Sequence, residues 1–270
     1  MVTIPPRLVK VIVGPRVGGV AREWADLFMT FKVSASTGKT PNKAAVEIYN
    51  LNAASLQWLE QPEQTLQVLA GETIPSSIFF GDLLTGKVRT KRSGADYITT
   101  LEAQDGKRVL QLGYFVGSYG AGTTRSQILT DALSANGITV GYVHPLPERI
   151  YEAGASYSEP LESVLDDLYA GEVATWSIQD GRFQLVGLGQ PVPGTAPIIS
   201  AQTGMIGSPE RTDKGVKVSV DLAPALKPGG GFVVQSRFWS GSARITALDH
   251  VGDREGKKWQ TDLVGVPLAA

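Results

Sequence analysis

Two histidines are the first residues in this chain whose type could do chemistry, His144 and His250. His250 lies beside Asp249 and Asp253. An Asp-His-x-x-Asp cluster offers nitrogen and oxygen donors that could hold a divalent metal with help from elsewhere. The same residues also read as a polar turn after a strand, with Gly252 and Asp253 as turn residues, and that reading is favoured. His144 sits in the loop His144-Pro145-Leu146-Pro147. No Gly-x-Ser-x-Gly elbow gives a Ser/His/Asp triad a nucleophile context. With no cysteine in the chain, disulfides, thiol catalysis and Cys-ligated zinc or iron–sulfur sites are excluded.

Four further groups could carry function. Gly117 to Thr124 is Gly-rich and precedes a helix, as a phosphate loop should. It has no P-loop lysine, and a flexible loop before a capped helix is favoured. Glu159, Glu162, Asp166 and Asp167 offer carboxylate pairs of the kind a glycosidase needs. Glu162 and Asp166 are four apart opposite a leucine stripe, which is the pattern of a solvated helix face. Lys87, Arg89 and Lys91 alternate along an expected strand, with Arg92 beside them, and could track a phosphate backbone. No interleaved aromatics support base stacking, so a solvated or edge-protecting face is favoured. Trp58 and Trp239 fit either interface anchors or core. No catalytic, cofactor-binding or metal-binding residue is assigned.

The elements that must position these groups are mostly strands. Segments 7–13, 27–34, 44–49, 64–70, 77–81, 83–92 and 97–103 read as strands, with a short helix at 53–59. Thr124 and Gln127 make a capping-box pattern before the stripe Ile128, Leu129, Ala132 and Leu133, and Gly137 ends that helix. Segment 138–143 is a strand. A second helix is predicted with Ser158 as N-cap, Pro160 in its first turn and the stripe Leu161, Val164, Leu165 and Leu168, closed by Gly171. Asp180-Gly181 predicts a type I′ hairpin over 176–186 that pairs Ile178 with Phe183 and Trp176 with Leu185. Ser177, Gln179, Arg182 and Gln184 fall on its other face. Segment 187–197 reads as a linker, and 216–222, 231–236, 243–250 and 259–265 as strands.

Composition agrees. The chain has 270 residues, of which 31 are Gly, 42% are hydrophobic and 19% charged, with 25 Lys and Arg against 26 Asp and Glu. That supports a packed core and gives no global pull toward nucleic acid or membrane. No apolar run approaches the ~18 residues of a transmembrane helix. The start, MVTIPPRLVKVIV, lacks the features of a signal peptide, so a soluble chain assembled inside a cell is expected. From Glu148 to Arg182 there are eight acids and two bases, whereas the stretch from Met205 onward is slightly basic. The expected partition is β at 1–112, an acidic α/β insert at 113–190, and β at 191–270, with strands shared between the last two.

Several stretches together resemble one family. They include Phe31-Lys32-Val33-Ser34, Pro41 to Leu51, Val68 to Gly71, Ile78 to Asp82 and Asp96 to Gly106. Near the end come Thr203 to Pro209, Gly215 to Val218, Gly241 to Asp253 and Trp259-Gln260-Thr261. In order and spacing this series resembles the baseplate or tail hub proteins of contractile-tailed bacteriophages and phage tail-like particles. The resemblance implies two tail-tube-like β-barrels flanking the small α/β domain. It also implies a homotrimer whose six barrels meet a sixfold tail tube protein on one face and a threefold central spike protein on the other. Tape-measure and other baseplate proteins are further implied partners. DNA would pass through the bore without sequence-specific binding, and no cofactor or membrane insertion is expected. A virion component without enzymatic activity, assembled in the host cytoplasm, is the implied role. Lys87, Arg89 and Lys91 are expected to lie off the channel, because a basic bore would retard DNA. A carboxylate-based cell-wall polysaccharide hydrolase and a glycan- or receptor-binding β module remain alternatives at this point.

Overall fold

The computed structural model describes residues 6–213, 215–256 and 258–268. Strict alternation builds the first flank. Val9, Val11 and Val13 of Leu8–Pro15, Met29, Phe31 and Val33 of Met29–Ser36, and Ala44, Val46 and Ile48 of Asn42–Tyr49 all point inward. Leu66, Val68 and Ala70 of Gln64–Gly71 join them in one core cluster with Leu101 and Trp259. Full burial of each large side chain is worth about 1.5–3 kcal/mol, which fixes the register of these strands. Helix α1 (Ala53–Leu59) lies where the sequence puts it, with Asn52 Oδ1 accepting the Ser55 N–H at 2.8 Å.

The two flanks share one 14-stranded sheet. Its path runs Met205–Thr212, Gly215–Asp221, Trp259–Pro267, Gly241–Asp253, Met29–Ser36, Asn42–Tyr49, Asp96–Asp105, Ser76–Leu83, Gln64–Gly71, Leu8–Pro15 and Arg22–Trp24. Gly241–Asp253 is the link. Its 13 residues are more than twice the usual ~5–6 of a strand. One side pairs with Trp259–Pro267 from Ala243 to Gly252, with a shift of register between Ile245 and Ala247. The other pairs first with Gly231–Gln235, up to Arg244, and then with Met29–Ser36 from Ala247 onward.

The implied pair of closed barrels is not seen: among the described residues the flank strands form one continuous sheet, and no barrel closes. At the seam between Leu8–Pro15 and Gly241–Asp253, side chains replace a backbone ladder. The Arg7 guanidinium donates to the carbonyls of Asp253 at 3.1 Å and Gly256 at 2.5 Å, and lies 5.3 Å over the Trp259 ring. Just past Gly241–Asp253, Arg254 donates to the Ala25 carbonyl at 2.5 Å and the Leu27 carbonyl at 3.0 Å, in the connection between Arg22–Trp24 and Met29–Ser36.

The middle of the chain has its own core. Helices α2 (Arg125–Ala135) and α3 (Leu161–Leu168) pack Ile128, Leu133, Leu161, Val164, Leu165 and Leu168 around Phe183. The stripes read from the sequence are the buried faces. Three strands, Thr139–Val143, Arg182–Gly187 and Ala174–Gln179, form one small sheet, and Tyr114–Tyr119 with Ala155–Pro160 forms another.

Three local expectations are corrected. The strand expected over 83–92 is broken, because a 3₁₀ turn at Thr85–Lys87 separates Ser76–Leu83 from Arg89–Ser93. Lys87 therefore leaves the strand that carries Arg89 and Lys91. The Gly-rich stretch read as a loop begins inside a strand, since residues 117–119 belong to Tyr114–Tyr119. A Cβ on Gly117 would come within 2.9 Å of both the Phe115 and Tyr119 rings, so glycine there lets the two aromatics converge. Ser158 is not an N-cap: it stays in the ladder opposite Val116, and Pro160 takes the cap position. On the polar face of the hairpin Ser177 and Gln184 are buried while Arg182 stays exposed. Among the described residues no helix is long and apolar enough to cross a membrane.

Candidate functional site at the hairpin junction

The hairpin forms with the predicted register, Ile178 opposite Phe183 and Trp176 opposite Leu185. Asp180 and Gly181 have φ of 51° and 75°, the left-handed pair that a type I′ turn requires. Apolar residues on one face enter the middle core, where Phe183 lies between Tyr169 and Trp176. The other face joins all three parts of the chain.

From the first flank, Asp105 and Asn42 reach the hairpin tip. The Gly181 N–H donates to Asp105 Oδ1 at 2.9 Å. The Asn42 amide donates to Ile178 O at 3.1 Å and Gln179 Oε1 at 3.0 Å, and lies 3.4 Å from Asp105 Oδ2. Asn42 Oδ1 in turn accepts the Ser36 N–H at 2.9 Å. From the last flank, Lys227 pairs with Asp180 at 2.9 Å, the Pro228 carbonyl accepts from Gln184 at 3.2 Å, and Arg244 donates to Gly187 O at 3.0 Å. Burial pushes the Asp105 carboxyl up to about 6, with the nearby Asp180 charge adding to the rise. The hydrogen bonds from Gly181 and Asn42 offset only part of that. Buried Arg244 is likewise shifted down by loss of hydration. A polar cleft of about 800 Å³ opens beside the junction, lined by Arg182, Lys227, Asp180, Gln67 and Thr139 among others. The Asp105 acceptors are used by its neighbours, so the junction's chemistry is hydrogen bonding between units.

The other residues singled out by sequence are dispersed. His250 is fully buried and its Nδ1 lies 2.8 Å from Thr261 Oγ1. Burial, with the Lys227 charge, pushes it down to about 3, so it stays neutral. Asp249 is its neighbour in an extended strand and points to the opposite face. Asp253 accepts the Glu255 and Gly256 N–H groups and shapes the following turn. Among the described residues no His, Asp and Glu group is arranged to hold a metal. His144 is half-buried, with its ring over Gly187.

The Gly-rich stretch weighed as a phosphate loop leads to a helix end already occupied by a carboxylate. Thr124 Oγ1 caps Gln127 N at 3.3 Å, and Glu148 accepts both the Ser126 N–H at 3.2 Å and the Ser126 hydroxyl. Those bonds hold the Glu148 pKa below the usual carboxylate range, although burial opposes them. Buried Arg125 pairs with Glu172 and donates to Pro147 O.

The carboxylates of α3 are structural partners. Asp166 accepts the Trp176 indole N–H at 2.8 Å and pairs with Lys39 at 2.5 Å, tying the insert to the first flank. Asp167 accepts the Tyr157 hydroxyl at 2.9 Å. Glu159 lies in the Ala155–Pro160 ladder and Glu162 in the first turn of α3. Arg89, Lys91 and Arg92 lie on an exposed hairpin strand, and Lys87 pairs with Glu102 at 3.0 Å. Trp58 is half-buried beneath the Arg22 guanidinium, and Trp239 packs on the last-flank core. Sequence reasoning missed Asn42, Asp105 and Arg244. Their only sequence signal is a polar residue at an inward or strand-end position.

No protein-family model matches the chain, and no curated protein matches it by sequence. Solved structures do match in fold. The 43 kDa tail protein of prophage MuSo2 from Shewanella oneidensis superposes with a TM-score of 0.66 at 10% identity, covering 98% of this chain and 97% of that one. The tail protein from Neisseria meningitidis MC58 gives 0.66 at 10% identity, covering 96% of each chain. The E. coli c3393 protein, a type VI secretion system component described as similar to the T4 bacteriophage tail proteins gp27 and gp5, gives 0.56 at 12% identity. That match covers 90% of this chain and 74% of that one. The chain thus has the fold of phage tail proteins.

Proposed function

We propose that this chain is a structural tail or baseplate hub of a contractile phage tail or tail-like particle. Residues 1–112 and 191–270 supply two tube-like β units, and 113–190 is the insert between them. The full-length fold match to two phage tail proteins, covering 96% or more of both chains, carries this reading. The continuous sheet supports it, because strand Gly241–Asp253 fixes the two flanks to each other. Two similar units per subunit in a homotrimer present six related surfaces, which reconciles a sixfold tube with a threefold spike. The bore forms part of the DNA channel, and the chain acts without catalysis. The similarity to a type VI secretion component favours a spike-type protein as the axial partner.

Native mass spectrometry of the purified chain, alone and with its candidate spike, tests the proposal. A mass of three times 28.7 kDa, or a three-to-three complex with the spike, is expected. A chain that neither trimerises nor binds the spike would overturn it.

A further inference from the structure

An exposed aromatic on a braced turn stands at one end of strand Gly241–Asp253. Phe238 is 72% exposed. The turn that carries it is held by three serine-mediated bonds: Phe238 N to Ser236 Oγ at 3.0 Å, Ser236 N to Ser240 Oγ at 3.2 Å, and Ser240 Oγ to Ser236 O at 2.9 Å. Trp239 folds back onto the last-flank core, so its neighbour is directed outward. Arg237, beside Phe238, is exposed and has no ion-pair partner among the described residues.

Toward the other end of the same strand lies a groove of about 450 Å³, whose apolar wall includes Ala35, Pro41, Ala247 and Val264. Asp249 and Asp262 stand directly opposite each other across neighbouring strands within it. Like charges so placed repel. Asp262 is held by Ser219 at 2.5 Å and by Gln260. Lys43 and Lys217 also line the groove, yet neither carboxylate has an ion pair among the described residues. An incoming cation would relieve this carboxylate pair. A second apolar groove farther along the strand carries Lys32 and Lys258 beside Glu47 and Asp253, but there Glu47 accepts the Thr30 hydroxyl and Asp253 is committed to its own turn, so it offers no facing carboxylate pair to a cation.

We infer that Phe238 and Arg237 of one copy of this chain dock into the Pro41–Ala247–Val264 groove of a second copy. Phe238 fills the apolar floor and Arg237 meets Asp249. Charge complementarity selects this occupant. A molecule cannot fill its own groove, because eight residues of extended strand from Gly241 to Asp249 hold knob and groove about 27 Å apart. The contact is heterologous, the kind that closes into a ring when the rotation permits. The inference deepens the homotrimer reading and rests on it.

Sedimentation velocity over a concentration series tests it on the full chain. Wild type is expected to trimerise. Phe238→Ser should raise the dissociation constant about 30-fold or more. Arg237→Asp and Asp249→Arg should each weaken assembly, and the two together in one chain should restore it. Phe238 and Arg237 are exposed, and unchanged far-UV circular dichroism will show that the variants fold. A wild-type trimer that all these variants leave intact overturns the knob-and-groove contact while the trimer stands. A wild type that stays monomeric at every concentration overturns both.

Discussion

Neutralising Asp105 should stabilise the protein at neutral pH and do so less in acid. The carboxyl is 3% exposed, and its pKa is raised from 3.8 to about 6 in the folded chain. A raised carboxyl pKa means that the folded state binds a proton more tightly than the unfolded state. Its ionised form therefore costs stability above pH 6, and that cost disappears as the pH falls toward the unfolded value near 4. At about 1.4 kcal/mol per pKa unit, the cost at pH 8 is about 3 kcal/mol. Asp105→Asn removes that charge. It keeps an acceptor for the Gly181 N–H at 2.9 Å and gives up the weak 3.4 Å contact with Asn42. Losing that contact costs about 0.5–1.5 kcal/mol. The variant should thus be about 2 kcal/mol more stable than wild type at pH 8 and slightly less stable at pH 4. The assay is urea denaturation followed by tryptophan fluorescence at pH 4, 6 and 8, read as the difference between the two proteins. Taking the difference cancels the opposing titration of carboxylates such as Glu148, whose pKa is lowered. A difference that stays constant from pH 4 to pH 8 would refute the reasoning.

Three other outcomes are expected. Phe183→Ala empties the centre of the middle core between Tyr169 and Trp176 and should cost about 3–5 kcal/mol in urea denaturation. Gly181→Ala places a side chain at φ 75° and should cost about 1–2 kcal/mol in the same measurement, with the Asp180–Gly181 turn losing its amide protection. Arg254→Ala removes two bonds to the connection at residues 25–27; hydrogen exchange should speed up in residues 22–36 and leave the helices α2 and α3 unchanged.

Much of the local structure is legible in the residues alone. Period-2 alternation marks Val9, Val11 and Val13, or Met29, Phe31 and Val33, as one face, since neighbouring side chains in a strand must point oppositely. The i, i+3, i+4, i+7 stripe of α3 and the Asp180–Gly181 turn are equally local, because helix geometry and left-handed φ are decided within a few residues. The site was less legible. His250, Gly252 and Asp253 read more readily as a polar turn than as a metal cluster, yet the strand runs on through Asp253 and sends His250 and Asp249 to opposite faces. Gly117 looks like part of a loop until Phe115 and Tyr119 close over it.

Sequence by itself determined the mainly β class, the buried stripes of α2 and α3 and the register of the hairpin, all set by nearest-neighbour geometry and by water. Tertiary structure decided the rest. Only packing from distant segments desolvates Asp105 and raises its pKa, buries Ser177 and Gln184, and keeps His250 neutral. Only the full sheet shows that Gly241–Asp253 serves both flanks, that Arg7 reaches its far end and that Arg254 holds the connection at residues 25–27. Those outcomes depend on contacts between residues more than 200 positions apart, such as Arg7 with Asp253 and Arg254 with Ala25, and no local pattern encodes such pairings.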